Sequence, residues 1–162
     1  MTVSREVFKS AMAQLVGGVT IVAAGTGFER RGITATAVCS LSIEPPTLLA
    51  CINRHSELWS RVTQVGAFSV NILTQAQEQL ARVFAGMTLV HGRQRFEHGS
   101  WFEGGTGSPL LADCLATFDC QLVGSHSHTT HEIFLGQVLE ASVSAGEPLA
   151  YAQGSFRTLH PA

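Results

Sequence analysis

The sequence predicts a mainly β fold, an antiparallel barrel with helices packed on its outside. Three observations lead there. About six or seven short apolar or alternating runs read as strands, against two or three stretches of helical periodicity. Their order lacks the strand–helix–strand rhythm that a parallel sheet needs. Two long runs, 114–123 and 132–143, follow each other across a short polar, His-rich turn, as antiparallel partners do.

Taken in order, Ser4 is placed to cap a first helix, whose Phe8, Ala11, Met12 and Leu15 share one face until Gly17-Gly18 stops it. Residues 19–23 read as a strand, with 25–27 as its turn. Pro45-Pro46 marks a break, because proline fits neither a central strand nor a helix interior. Residues 47–52 form a short apolar run, read as a buried strand. Ser56 then caps a helix over about 57–65 that Gly66 ends. Residues 67–73 alternate as a strand does. Thr74-Gln-Ala-Gln77 is a capping box for a helix over about 75–84, closed by Phe84-Ala-Gly86. Residues 87–108 look like a long, ligand-covering loop, and 151–159 like a last strand. In the strand 114–123, Ala116, Phe118, Cys120 and Leu122 share a face; in 132–143, Ile133, Leu135 and Leu139 oppose Phe134, Val138 and Ser142.

A chain of 162 residues fits one domain, and 45% hydrophobic with 14% charged residues suits a packed core rather than disorder. A net charge of −2 gives no reason to expect nucleic acid as a partner. Lys9 is the only lysine, so the basic residues are nearly all Arg; this suits anionic ligands and equally suits a GC-rich coding bias. Cys39, Cys51, Cys114 and Cys120 form no CxxC pair and follow no signal-peptide pattern, which leads us to expect reduced thiols in a cytoplasmic protein. No apolar run approaches the ~20 residues of a membrane span.

The stretch from Arg31 to Ser42 is unusual in its thin side chains: Thr34, Ala35, Thr36, Ala37, Ser40 and Ser42 are all small or hydroxylic. Small side chains let a flat ligand approach the backbone, and hydroxyls offer it hydrogen bonds. A strand of small residues packed under a helix would look the same. Elsewhere, His126, His128, His131 and Glu132 crowd into seven residues; His-x-His-x3-Glu is half of a cupin metal motif, without its second half. A polar hairpin tip and an imidazole lining a cleft are the other readings. Gly104-Gly-Thr-Gly107 lacks the strand and helix a phosphate loop requires and reads as a turn. No nucleophile elbow or carboxylate pair stands out. A small-residue cleft without such groups leaves the chemistry to a cofactor.

The chain resembles the short-chain flavin reductases, the reductase components of two-component flavin monooxygenases such as those acting on 4-hydroxyphenylacetate. The resemblance rests on Ala11-Met12, Gly32-Ile-Thr-Ala-Thr-Ala-Val-Cys-Ser40, Pro45-Pro46, Leu49-Ala-Cys-Ile-Asn53, Phe68-Ser-Val-Asn71, Phe84-Ala-Gly-Met87 and Arg95-Phe96, in family order. It implies one domain over 1–162, an FMN-binding split β-barrel, and a homodimer. It further implies hydride transfer from NADH or NADPH to FMN or FAD, with reduced flavin passed to a separate oxygenase. By the same resemblance Thr34, Ala35, Thr36 and Ala37 border the flavin ring, Gly32, Ser40 and Cys51 belong to the cofactor-binding set, and Asn53, Arg54, His55 and Ser56 hold the ribityl and phosphate end. Phe84, Ala85 and Gly86 match another flavin-side segment, and His131 matches a motif histidine that positions the nicotinamide. The family's Gly-Asp-His is here Thr129-Thr130-His131, which leaves the choice between NADH and NADPH open. A non-enzymatic flavin- or haem-binding split barrel, and a cupin-like metalloenzyme using His126, His128 and Glu132, are the alternatives; the resemblance itself implies no resident metal.

Overall fold

The computed structural model describes residues 2–159. Helix α1 (Arg5–Met12) is capped by Ser4, whose hydroxyl accepts the Val7 N–H. After it come β1 (Gly17–Gly18), β2 (Thr20–Ala24), a 3-10 turn at Gly27–Glu29, β3 (Arg31–Ala35), β4 (Val38–Ile43) and β5 (Pro46–Asn53). Helix α2 (Glu57–Val65) leads to β6 (Ala67–Ile72), a 3-10 turn at Gln75–Gln77, and α3 (Glu78–Phe84). A 3-10 helix at Gly92–Glu97 precedes the short strands β7 (Trp101–Glu103) and β8 (Pro109–Leu111). The long strands β9 (Ala116–His128) and β10 (His131–Val143) and the hairpin β11 (Leu149–Ala152), β12 (Ser155–Thr158) complete the described chain.

Seven strands make the main sheet, in the order β3-β2-β6-β9-β10-β5-β4, every neighbouring pair antiparallel. Its two edge strands are consecutive in the chain. Only Thr36 and Ala37 separate them, so Ala35 and Val38 lie within about 11 Å of each other, three Cα steps. A sheet whose first and last strands are tied so closely must curl back on itself. Among the described residues the edges are not paired with each other, so the sheet is curled but open, where the sequence predicted a barrel.

Alternation sets what each face buries. In β2, Ile21 and Ala23 enter one core with Leu80, Phe84 and Leu111. Val22 and Ala24 enter a second with Leu58, Val62, Phe68 and Phe134. Thus α3 covers one face and α2 the other, and β2 is buried throughout. Strand β6 is buried except at Ile72, which is half-buried, and its polar residues are matched. The Asn71 amide donates to Ile21 O (3.1 Å) and its carbonyl accepts the Leu111 N–H (2.8 Å), which fastens β8 to the sheet.

Both helix ends follow the sequence. Ser56 Oγ accepts the Trp59 N–H at 3.2 Å, and Gly66 closes α2 at φ 68°. The capping box at Thr74 and Gln77 is present, although its first turn is 3-10 and α3 proper starts at Glu78.

Four expectations need correction. Residues 87–108 are not a plain loop; they contain a 3-10 helix and a strand that pairs with β8. Pro46 starts β5, a place open to a residue without an N–H, and only Leu48, Ala50 and Ile52 of β5 are buried. The last element is a hairpin rather than one strand. The His-rich segment is strand, not turn: β9 continues to His128, and only Thr129 and Thr130 make the bend, Thr129 at φ 47°. No helix among the described residues is long and apolar enough to cross a membrane.

Candidate functional site

A cleft of about 370 Å³ opens between β3, the start of α2, the end of α3 and residues 91–95. A second recess of about 170 Å³ adjoins it, walled by Thr34, Ala35, Thr36, Met87, Tyr151 and Phe156. Thr34 and Ala85 line both, so the two form one groove along β3. The groove exists because β3 has thin side chains and is held tightly from below. A Cβ on Gly32 would lie 2.8 Å from the Phe84 ring and 3.1 Å from that of Phe96. Those rings and Trp101 form a cluster with centroids 5.0–5.4 Å apart. Thr34 Oγ1 donates to Ala81 O at 2.7 Å, tying β3 to α3. Arg95 donates through Nη1 to Gly32 O (3.2 Å) and Phe84 O (3.3 Å), joining the 91–95 segment to the same floor.

One end of the groove is polar and cationic. Arg31, Arg95 and His91 line it beside Ser56 and the first turn of α2. Unpaired N–H groups at a helix start favour an anion. Arg31 Nε pairs with Glu57 at 2.9 Å, which holds the guanidinium at that first turn. The turn before α2 is shaped by its own side chains: Asn53 Oδ1 accepts the His55 N–H (2.9 Å), and Ser56 Oγ donates to Asn53 O (2.7 Å).

The turn is also locked to the β9–β10 hairpin. Arg54 N donates to Thr130 O at 2.9 Å, and Asn53 faces His131 in register. Glu132 completes the lock from within. It is 6% exposed and accepts from Ser127 Oγ (2.6 Å) and Trp59 Nε1 (3.3 Å), with Arg54 Nε at 3.8 Å. Arg54 in turn lies 5.5 Å over the Trp59 ring. The Ser127 hydroxyl chiefly, then Ser125, with lesser help from Trp59 and Arg54, hold the Glu132 carboxyl below its ordinary value, against an opposing effect of burial that exceeds either of the last two.

Not every predicted residue reaches the groove. Gly32, Thr34, Ala35, Thr36, Ser56, Phe84 and Ala85 do. Phe84 is 1% exposed, however, so its ring serves the core. Ala37 lies in the bend and Ser40 past it; Ser40, with Thr36, borders a different cavity of about 420 Å³ inside the curled sheet. Cys51 lines neither part of the groove, and burial pushes its thiol up. Asn53, Arg54 and His55 form the adjoining turn, Gly86 ends α3 at φ 73°, and His131 is exposed at the hairpin tip with Nδ1 2.9 Å from Thr130 Oγ1. Sequence reasoning missed Arg31, His91, Tyr151 and Phe156 as groove residues and knew Arg95 only as part of a family motif. Arg31 stood beside Gly32 and was legible; Tyr151 and Phe156 arrive from the far end of the chain with no local signal.

Strand alternation separates the histidines from the glutamate. His126 and His128 share a face with their cross-strand partners Ile133 and His131, whereas Glu132 opposes Ser127 on the other. The cupin-like set is therefore split across the sheet, and among the described residues no three His, Cys, Asp or Glu side chains gather as metal ligands. The glycine loop at 104–107 is a turn filled by a carboxylate: Asp119 accepts the Thr106 N–H at 2.8 Å and the Thr106 hydroxyl at 2.5 Å.

A phosphate-bearing planar ligand fits this geometry: a thin-walled recess at one end, cations and a helix start at the other. The profile described as flavin reductase like domain matches residues 12–160. The chain belongs to the flavin reductase like family. An FMN reductase (NADH), RutF 1, of Methylorubrum extorquens (strain PA1) is 39% identical over 161 residues, 98% of this chain and 78% of that one. Among solved structures, the flavin reductase component of a bacterial two-component tryptophan halogenase superposes with a TM-score of 0.88 at 28% identity, covering 98% of this chain and 100% of its own. The NADH:FAD oxidoreductase of Streptomyces globisporus C-1027, in complex with NAD and FAD fragments, gives 0.88 at 32% identity, covering 98% and 94%. Within this flavin reductase like domain, the first five residues of the motif Gly32–Ser40, Gly32 to Thr36, form the wall of the groove, and the remaining four do not line it.

Proposed function

We infer that the chain is an NADH-dependent flavin reductase whose flavin lies along β3. The carrying observation is the continuous groove that thin side chains open beside a cationic helix start. Bound together, nicotinamide and flavin supply the hydride chemistry, and the protein supplies alignment and dry surroundings. Ala35 and Thr36, with Ala85, leave room for the ring against the backbone. Arg31, Ser56 and the first turn of α2 take the phosphate end. Arg95 keeps that floor rigid, and the Glu132–Arg54 contact orients the turn that carries Ser56. His131, beside Asn53, positions the nicotinamide from the hairpin.

The curled seven-stranded sheet with tied edges supports the split form of a β-barrel. A second copy of the chain is the natural cover for its exposed apolar residues, among them Ile43 (87% exposed) and Val143 (85%). A separate oxygenase is the proposed recipient of reduced flavin, FMN or FAD. Four free cysteines among the described residues suit a reducing cytoplasm. Purified protein with flavin should deplete NADH absorbance; flavin binding with no oxidation of either nicotinamide would make it a carrier. Sedimentation analysis checks the dimer.

A further inference from the structure

We propose that the surface recess formed by Phe28 and Arg93 holds the adenine of FAD and gives this chain a preference for FAD over FMN. The proposal rests on the flavin reading above. The recess measures about 260 Å³ and is bordered by Phe28, Arg30, Arg93, Phe96 and Glu97. Phe28 is 74% exposed, against 58% for Phe8 and 49% for Phe102, so its ring is accessible beside the cleft. The Arg93 guanidinium sits 4.6 Å from the centre of its ring. One ring face is thus backed by a cation, and much of the rest is open to a ligand. A purine stacks well on such a pair, because every base offers a π-face to an aromatic ring or a guanidinium.

Position favours adenine specifically. Both walls of the phosphate end run on into this recess: His91 and Gly92 line the cleft and Arg93 the recess, while Arg31 lines the cleft and Arg30 the recess. Arg31 connects the two directly, since its Nη1 donates to Phe28 O at 3.4 Å while its Nε pairs with Glu57. A dinucleotide whose inner phosphate meets Arg31 therefore has a stacking surface next to its outer phosphate. Glu97 offers an acceptor to the exocyclic amine of adenine. Arg30 is paired with Glu103 at 3.1 Å, whereas among the described residues Arg93 joins no ion pair, which leaves its charge for the ligand.

The test compares dissociation constants of FAD and FMN by quenching of flavin fluorescence, separately from turnover, in the full chain and in Phe28→Ala, Arg93→Ala and Phe28→Trp. The wild type should bind FAD more tightly than FMN. Phe28→Ala should shift the FAD-to-FMN ratio by about tenfold toward FMN, and Phe28→Trp should keep the FAD preference. Equal weakening of both flavins, an unchanged ratio, or a rise confined to the KM for NADH would overturn the proposal; so would a wild type that binds neither flavin. A wild type that binds FAD with the expected preference yet oxidises no nicotinamide would sustain the adenine site while the reductase reading falls.

Discussion

Strands β3 and β4 are the two halves of one small-residue stretch, and the structure uses them in opposite ways. In β3 the small residues are a packing requirement. Gly32 lies tight on the rings of Phe84 and Phe96, and the Thr34 hydroxyl is spent on the backbone of α3. In β4 they lie at the open edge: Cys39, Ser40, Leu41, Ser42 and Ile43 are all exposed. The bend at Thr36 and Ala37 divides the two, and Thr36 is the hydroxyl left facing open space. A run of small residues thus has no single meaning. On an edge strand covered by a helix it records how close a neighbour comes; on an uncovered one it leaves the strand exposed.

Substitutions can break this comparison. Gly32→Val should have the largest effect, destabilising by about 1–3 kcal/mol because the ring of Phe84 has nowhere to go. That corresponds to a melting-point fall on the order of 5 °C, read by thermal denaturation. An unchanged melting point would mean that the aromatic cluster is loose. Thr36→Val comes next and acts on ligand alone: the flavin dissociation constant should rise about fivefold, the loss of one hydrogen bond, with the melting point held. Thr34→Val should reverse that pattern. It removes the bond to Ala81 O, which still accepts from Ala85 N, so stability falls by only about 0.5–1 kcal/mol and flavin affinity moves less than with Thr36→Val. If Thr34→Val weakens flavin more than Thr36→Val does, the assignment of the two hydroxyls is inverted. Ser40→Ala should be the smallest, within about 0.5 kcal/mol by denaturant titration, as for an exposed edge residue.

Local signals made much of this legible. The caps at Ser4 and Ser56, the stop at Gly66 and the box at Thr74 are written in neighbouring residues, and each helix starts close to where they say. The thin wall of the groove was visible as composition. Its function was ambiguous there because close packing and ligand approach select the same side chains. The partners that resolve the ambiguity are distant: Phe96 lies 64 positions from Gly32, and Tyr151 further still. The hairpin misled for a different reason. Polar Ser125-His-Ser-His128 suggested a loop, yet its strict alternation of two residue types was a strand's own period, and the same period split the supposed metal set.

Glu132 has a consequence in proton linkage. Its carboxyl sits below its ordinary value of 4.5 in the folded chain, so the folded state holds that proton less readily than the unfolded one. The stability this confers is complete above the ordinary value and drains away as pH falls through it toward the lower folded value. Protonation there would weaken the contacts to Arg54, Trp59 and Ser127 together, since all three meet one carboxylate oxygen. Acid should therefore loosen the turn, the helix start and the hairpin as a unit, with Trp59 as its reporter, before it reaches the aromatic floor under β3.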